Sequence, residues 1–178
     1  DSRLSGSLFL CFLDASKAFD RINHLELFKK LERRGVPLYL VRILSFWYSH
    51  QKMCVRWGTG ISENFYVSNG VRQGGILSPY LFNVYMDDLS VSLNNCQAGC
   101  YVGTLLVNHL MYADDLVLMC PSASGLKRLL KVCEKFGFSH DVKYNSGKSS
   151  IMIKRSKALR GAKFDNFLVS GEVIPHKD

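Results

Sequence analysis

The sequence has 178 residues, of which 47% are hydrophobic and 21% charged, a composition that predicts a folded domain and excludes an intrinsically disordered chain. Lys and Arg outnumber Asp and Glu by 23 to 15, for a net charge of +8, which favours a polyanionic partner. No apolar run approaches the roughly 18 residues that a membrane span requires, so we expect no membrane partner.

Cysteine usage indicates reduced thiols rather than disulfides or a zinc site. The chain has 6 cysteines and no C-x-x-C pair, and Cys96 with Cys100 has no second pair of ligands to complete a zinc set. Buried reduced thiols are typical of reducing compartments. We therefore expect an intracellular location, with the nucleus as one option, although no targeting signal is visible.

The first part of the chain predicts a buried strand followed by two helices. Leu8–Leu13 is a continuous apolar run that ends abruptly at Asp14, which predicts a strand with a carboxylate at its tip. Asn23 can cap the next helix, because a glutamate follows three residues later as in a capping box. Gly35 ends that helix and Pro37 begins another. The second helix has one predicted apolar face, formed by Leu40, Val41, Leu44, Trp47 and Tyr48.

The middle of the chain predicts a hairpin and a longer helix. Residues 51–67 contain alternating apolar positions on either side of the turn at residues 58–60, which is typical of a β-hairpin. A Gly-rich connection follows at residues 70–75. Ser78 is then a candidate helix cap before Pro79, and the helix should continue to about residue 93.

The last part predicts an acidic hairpin and further mixed elements. Two apolar arms, residues 105–112 and 116–119, flank Ala113, Asp114 and Asp115, so we expect a hairpin with acid at its bend. A helix from Ser122 to about Lys135 and strands at residues 151–153 and 164–169 complete the elements. Because helices and strands mix without strict alternation, the predicted class is α+β.

One carboxylate at the end of a buried strand and two at a hairpin tip form the strongest chemical signal. Carboxylates on apolar strands are costly unless a cation compensates them. Mg²⁺ prefers oxygen ligands, commonly one or two carboxylates together with substrate phosphates. Two such ions about 4 Å apart can stabilise both the attacking and the leaving oxygen of a phosphoryl displacement. Asp14, Asp114 and Asp115 are therefore candidate metal ligands, and the alternative is a set of turn acids that face water.

Four short segments occur in order along the chain: FLDASKAFD at residues 12–20, NGVRQGGILSP at 69–79, YADD at 112–115 and NSGK at 145–148. They resemble, in that order, motifs A, B, C and D of reverse transcriptases, most closely those of non-LTR (LINE-type) retrotransposons. The resemblance extends from about Leu8 to the end of the chain. One departure is Gln-Gly-Gly in motif B, where many relatives have Gln-Gly-Cys.

This resemblance implies the fold and the domain organisation. The fold is expected to be a polymerase palm, an antiparallel sheet packed on helices, with a partial fingers segment. Residues 1–178 would form one palm-centred fragment, with residues 22–70 fingers-like and residues 1–21 and 71–178 palm. The thumb would be absent, so we expect residues 1–178 alone to be weakly active or inactive.

The resemblance also implies roles for individual residues. The predicted catalytic residues are Asp14, Asp114, Asp115 and Lys148. Asp14 and Asp114 match the family's direct metal ligands, and Asp115 matches the second acid of the motif C box, near the primer 3′-OH. The lysine matches one proposed in the family to protonate the leaving pyrophosphate. Phe19 matches the steric gate, whose ring would clash with a ribose 2′-OH. On sequence alone, this ring could also be a core aromatic. The remaining predicted substrate-binding residues are Arg72, Gln73 and Gly74 in motif B.

The implied activity is RNA-directed DNA polymerisation, in which a primer 3′-OH attacks a dNTP. Its partners would be an RNA template, a DNA primer and dNTPs, and its cofactors two Mg²⁺ ions, with Mn²⁺ able to substitute. The segment Lys143–Lys163 carries seven basic and no acidic residues and would face the RNA–DNA duplex. An inactive nucleic-acid-binding remnant of a mobile element and a group II intron maturase are the alternatives.

Some apparent motifs fail on spacing. Gly147-Lys148-Ser149 resembles the end of a phosphate-binding loop, but that loop needs a glycine where Val142 stands. Asp87 and Asp88 are a second acidic pair. Neighbours on a helix point about 100° apart, so we interpret them as helix-surface or salt-bridging acids.

Overall fold

The computed structural model describes residues 6–156 and 163–177, which form two compact units. Unit 1 comprises Asp1–Ala18 and Met86–Asp178, and unit 2 comprises Phe19–Tyr85. Two members of the predicted basic segment, Lys157 and Arg160, lie outside the described residues. Within the described ranges, no helix combines the length and the apolar character needed to cross a membrane.

The mixture of helices with antiparallel sheets confirms the predicted α+β class. Among the described residues, the α-helices are α1 (His24–Arg33), α2 (Leu38–Ser49), α3 (Ser78–Asn95) and α4 (Ala123–His140), and Ala18–Arg21 forms a short 3-10 helix. The strands are β1 (Leu8–Ser16), β2 (Lys52–Met53), β3 (Arg56–Trp57), β4 (Gly60–Ile61), β5 (Phe65–Tyr66), β6 (Cys100–Val102), β7 (Leu105–Val107), β8 (His109–Tyr112), β9 (Asp115–Cys120), β10 (Lys143–Lys154), β11 (Leu168–Val169) and β12 (Glu172–Val173).

Unit 1 is built on a four-stranded antiparallel sheet in the order β10-β1-β9-β8. Side chains alternate between the two faces of each strand, and one face of this sheet is buried. Helix α4 contacts β1, β9 and β10. The core combines Phe9, Cys11, Leu13 and Ala15 of β1, Leu116, Leu118 and Cys120 of β9, and Leu126, Leu129, Leu130 and Cys133 of α4, all buried.

Two strands of unit 1 are longer than the sequence predicts. β1 extends to Ser16, so Asp14 lies within the strand rather than at its tip. β10 extends from Lys143 to Lys154, where the sequence predicts only a short strand at residues 151–153. Backbone pairing with β1 explains both differences, because it stabilises polar residues in a strand that their own propensities do not favour.

The two helices α1 and α2 of unit 2 begin close to where the sequence predicts. Asn23 caps α1, and its side-chain oxygen accepts a hydrogen bond from the backbone N of Glu26 at 3.1 Å. The predicted apolar face of α2 is only partly buried, since Val41 and Tyr48 are buried whereas Trp47 is 51% exposed. The predicted hairpin forms as two short ladders, β2 with β5 and β3 with β4.

A close backbone contact joins the end of motif A to the start of motif B within unit 2. The N of Gly70 donates to the Ile22 carbonyl at 2.8 Å, and the N of Val71 donates to the Phe19 carbonyl at 2.8 Å. Gly70 has φ +87°, and a Cβ atom at this position would lie 2.8 Å from the Cα of Asp20. Only glycine permits both this backbone angle and this approach.

Substitution Gly70→Ala should therefore destabilise the protein strongly, by about 3 kcal/mol, because steric overlap adds to the strain of a left-handed backbone. Gly58→Ala is the matched control, since Gly58 also has a positive φ, +58°, but nothing lies within 4 Å of its added Cβ. That variant should lose only about 1 kcal/mol. Urea unfolding measures both losses, and equal values would contradict the close contact.

Candidate active site

Strand pairing brings two of the predicted carboxylates side by side. Asp14 of β1 and Asp115 of β9 are register partners in the antiparallel ladder, which places their Cα atoms about 4.5–5.5 Å apart. Their chain neighbours Leu13 and Leu116 are buried in the core. Because side chains alternate across a strand, both carboxylates project from the opposite face of the sheet.

The carboxylate pair lines a cavity of about 340 Å³ in unit 1. Lys148 reaches the same cavity, and the apolar part of the lining is Phe12, Leu13, Leu116 and Val117. Like charges directly opposite each other on neighbouring strands repel. The cavity therefore favours cations, and Lys148 is the basic residue in its lining.

Asp114 occupies a different position from the other two acids. It lies with Ala113 in the turn between β8 and β9, it is exposed, and it is not part of the cavity lining. Ala113 has φ +54°, a conformation that costs a non-glycine residue about 1–2 kcal/mol. Within residues 6–156 and 163–177, no group of three His, Cys, Asp or Glu side chains is arranged to hold a metal, so the ligand role of Asp114 stays a prediction.

The remaining pair fits a divalent metal in its donor chemistry. Carboxylate oxygens are the ligands that Mg²⁺ prefers, and Mg²⁺ commonly binds only one or two carboxylates with the substrate phosphates. Asp14 and Asp115 provide such a donor set beside an open cavity.

A bulge in β10 brings Lys148 to this cavity. Phe12 pairs with Ser150, but two residues further along β1 Asp14 pairs with Asn145, so the register shifts between them. The residues between Asn145 and Ser150 therefore stand opposite Leu13 alone. Bulges that re-aim side chains are frequent beside active sites, and this one contains motif D.

The other predicted site residues belong to unit 2. Phe19 is half-buried and stacks on Phe82, with ring centroids 4.3 Å apart and planes 11° from parallel. The amide Nε2 of Gln73 donates to Asp20 Oδ1 at 3.1 Å. Arg72 and Gln73 line two cavities of about 600 and 580 Å³, and the smaller of these also includes Gly74.

Ser78 does not act as the predicted helix cap. It is the first residue of α3, and its hydroxyl donates to the carbonyl oxygen of Arg72. This hydrogen bond fixes the end of the motif B loop. The same hydroxyl forms a hydrogen bond with Tyr48. The pKa of Tyr48 is raised, because burial raises it by more than this hydrogen bond lowers it.

Sequence reasoning missed a polar network that joins the start of the β8–β9 hairpin to α3. The Nε2 of His109 lies 2.7 Å from Ser90 Oγ, and its Nδ1 lies 2.7 Å from Asn108 Oδ1. Asn108 is buried, and its Nδ2 donates to the Leu93 carbonyl at 2.7 Å. Because the oxygen of an amide only accepts hydrogen bonds, the Nδ1 of His109 carries a proton. A lone histidine gives no such signal in a sequence.

Comparison with known proteins places these features in a family. A family model described as reverse transcriptase (RNA-dependent DNA polymerase) matches residues 2–164. A Pol polyprotein from the retrotransposable element R2DM of Drosophila melanogaster is 36% identical over 124 residues, which are 70% of this chain and 12% of that protein. The RNA-directed DNA polymerase from the mobile element jockey of Drosophila funebris is 29% identical over 172 residues, 93% of this chain and 18% of that protein.

Solved structures show the same fold at low sequence identity. Apo telomerase from Candida tropicalis aligns with a TM-score of 0.67 at 14% identity, over 86% of this chain and 32% of that one. The Candida tropicalis telomerase in complex with a fragment of telomeric RNA aligns with a TM-score of 0.69 at 13% identity, over 97% of this chain and 30% of that one. The predicted palm-like arrangement, an antiparallel sheet packed with helices, is thereby confirmed.

The buried network predicts that stability falls in mild acid. Burial lowers the pKa of His109 below its ordinary value of 6.5, so the folded state resists protonation. The unfolded chain binds the proton as the pH falls through about 6.5, whereas the folded chain does so only at lower pH. The stabilisation is therefore complete above pH 6.5 and is lost progressively below it.

His109→Gln should reduce the loss of unfolding free energy between pH 7.5 and pH 5, measured by urea unfolding at each pH. His50→Gln, at an exposed position at the end of α2, is the control and should leave the pH dependence as in the unchanged protein. An identical acid-induced loss in the His109 variant would contradict the role of this network.

Proposed function

Since this chain belongs to the reverse transcriptase family, of the type found in non-LTR (LINE-type) retrotransposons, we propose that it is the catalytic part of an RNA-directed DNA polymerase. The observation that carries the proposal is the register pairing of Asp14 with Asp115 beside an open cavity. The chain spans only 12% and 18% of the lengths of the two relatives described above.

Asp14 and Asp115 would together hold the divalent ions, Mg²⁺ in the first instance. Such ions neutralise the charge on the attacking 3′-OH oxygen and on the leaving oxygen of the triphosphate. The strands hold the two carboxylates in place, because backbone pairing fixes them within the sheet and core packing fixes them on the face opposite the carboxylates. Asp114, in the adjoining turn, is proposed as a further ligand on the strength of motif C alone.

Lys148 is proposed as the proton donor to the leaving pyrophosphate. Its ammonium N–H bond would break as an O–H bond forms on the departing phosphate oxygen. The geometry that supports this role is its place in the lining of the cavity that contains both carboxylates. An ammonium group at this position also offsets the charge of the incoming triphosphate.

A second, basic cavity of unit 1 supports the duplex path that we propose. Its volume is about 360 Å³, and its lining includes Arg155, Lys163 and Lys177 beside the ring of Phe164. Lys154 pairs with Leu8, six residues from Asp14 along β1, a span of about 20 Å. A nucleic-acid strand covers that span with about six nucleotides. The description of the matching family, RNA-dependent DNA polymerase, supports RNA as the template here.

Unit 2 is proposed to contribute the fingers-like part and to contact the incoming nucleotide. Phe19 would exclude a ribose 2′-OH, and its stacking on Phe82 fixes the plane of the ring. Arg72, Gln73 and Gly74 lie around open cavities, as residues that bind a template base or a triphosphate require. Gly74 has φ +79°, which glycine adopts at no steric cost.

Asp14→Asn or Asp115→Asn in the complete polypeptide should reduce primer extension by about a thousandfold, because each removes a charged ligand from the pair. Binding of an RNA–DNA duplex should stay near normal. Primer extension gels and fluorescence anisotropy measure the two properties. Asp165→Asn is the matched control, since it removes the same charge at an exposed ion pair with Lys127. Retained extension in both variants would refute the proposed site, whereas duplex binding without extension by the unchanged protein would favour an inactive remnant.

Phe19→Ala should reduce discrimination against ribonucleotides by about ten- to a hundredfold, because a missing steric clash is worth about 1–3 kcal/mol. The ratio of kcat/KM values for dNTP and rNTP incorporation measures it. Phe28→Ala is the control, since it removes another half-buried ring of unit 2, one that packs against Tyr48, and should lower stability without changing the selectivity. Unchanged selectivity in the Phe19 variant would rule out the gate.

A further inference from the structure

The bulge in β10 creates a hydrogen-bonding requirement at Asp14. In a regular ladder, a carbonyl oxygen of the neighbouring strand accepts the backbone N–H of each alternate residue. The register shift between the pairs Phe12–Ser150 and Asp14–Asn145 interrupts this pattern on the side of β10. An unpaired backbone N–H inside a central strand is costly, so another acceptor is needed.

The hydroxyl of Ser149 provides that acceptor. The backbone N of Asp14 donates to Ser149 Oγ at 3.1 Å, and the hydroxyl itself donates to the carbonyl oxygen of Asn145 at 2.6 Å. Ser149 is only 1% exposed, so water does not compete for these bonds. A buried side chain thus joins the strand that carries the carboxylate to the first residue of motif D.

The side chain of Asn145 adds another hydrogen bond within the same bulge. The backbone N of Lys148 donates to Asn145 Oδ1 at 3.2 Å. Asn145 therefore accepts one hydrogen bond from Ser149 through its backbone and another from Lys148 through its side chain. These bonds form a continuous connection from the backbone of Asp14 to the backbone of Lys148.

We propose that Ser149 is a positioning residue that sets Lys148 relative to the carboxylate pair, an inference that rests on the proposed polymerase function. The side chain of Ser149 does not need to touch substrate for this role. It ties the bulge to β1 through the backbone of Asp14, and Lys148 lines the cavity of Asp14 and Asp115. Ser149 would therefore affect the chemical step rather than nucleotide binding.

A purely structural serine would behave differently. If Ser149 only stabilised the bulge, its loss would lower the melting temperature, and the effect on catalysis would multiply with that of any other catalytic substitution. A residue that acts through Lys148 has little further effect once Lys148 is removed. This difference separates the two roles.

The experiment measures single-nucleotide incorporation by the complete polypeptide on an RNA–DNA primer-template. Ser149→Ala should lower kcat by about tenfold, equivalent to the loss of one buried hydrogen bond, with KM for the dNTP within about twofold of the unchanged protein. Ser149→Thr retains the hydroxyl and should restore kcat. Ser150→Ala is the matched control, as a neighbouring buried serine, and should leave kcat unchanged. Asn145→Ala, at a half-buried position, should reproduce the loss of kcat without relying on the buried serine.

Combination with Lys148→Ala completes the test. The double variant Ser149→Ala, Lys148→Ala should have the same kcat as Lys148→Ala alone. Multiplied losses, unchanged kcat in both Ser149→Ala and Asn145→Ala, or a loss confined to KM would each overturn the positioning role. Every variant is compared with the unchanged protein, which must itself extend a primer. Failure of the positioning role would therefore appear as a difference among variants, whereas absence of extension by the unchanged protein would refute the polymerase function itself.

Discussion

The antiparallel pairing of β1 with β9 is the interaction on which the candidate site depends. It sets Asp14 opposite Asp115, and it does so because their neighbours Leu13 and Leu116 are buried in the core. A slip of one residue would turn the leucines outward and the carboxylates into the core. Hydrophobic burial on one face of the sheet therefore specifies the chemistry on the other face.

The strand on the other side of Asp14, β10, is irregular where it pairs with β1. A fully regular β10 would leave motif D as ordinary strand residues. The bulge instead interrupts the pairing around Lys148, and this residue lines the cavity that contains both carboxylates. Its structural cost is reduced by buried serines, since Ser149 bonds to Asp14 and Asn145, and Ser146 bonds to Glu172 next to the β11–β12 turn. The edge strand β10 is thus held by hydrogen bonds at its bulge, beside the candidate site.

The comparison with telomerase shows which features such a fold preserves. At 13–14% identity the backbone arrangement is retained, as expected when burial pattern rather than residue identity specifies a fold. The retrotransposon relatives share more of the actual residues, 36% and 29%. The fold therefore follows from alternation of apolar positions, while the family assignment follows from the four short motifs that interrupt this alternation.

The sequence by itself determined the class of the fold, the starts of α1, α2 and α4, and the hairpin of motif C. These features are local: a cap such as Asn23 or Ser122, or an apolar run, acts through residues within one or two turns. The family was also determined by sequence, because the four motifs lie in order along the chain. Sequence alone could not show which of the two adjacent acids, Asp114 or Asp115, lies opposite Asp14 in the sheet.

The tertiary structure decided the features that depend on distant backbone pairing. The register with β1 put Asp115 rather than Asp114 beside Asp14, extended β10 over motif D, and created the bulge that Ser149 satisfies. The network of Ser90, Asn108 and His109 likewise joins a helix to a strand. These contacts arise from which strands become neighbours, and that choice is made by burying one face of the whole sheet, not by any short segment.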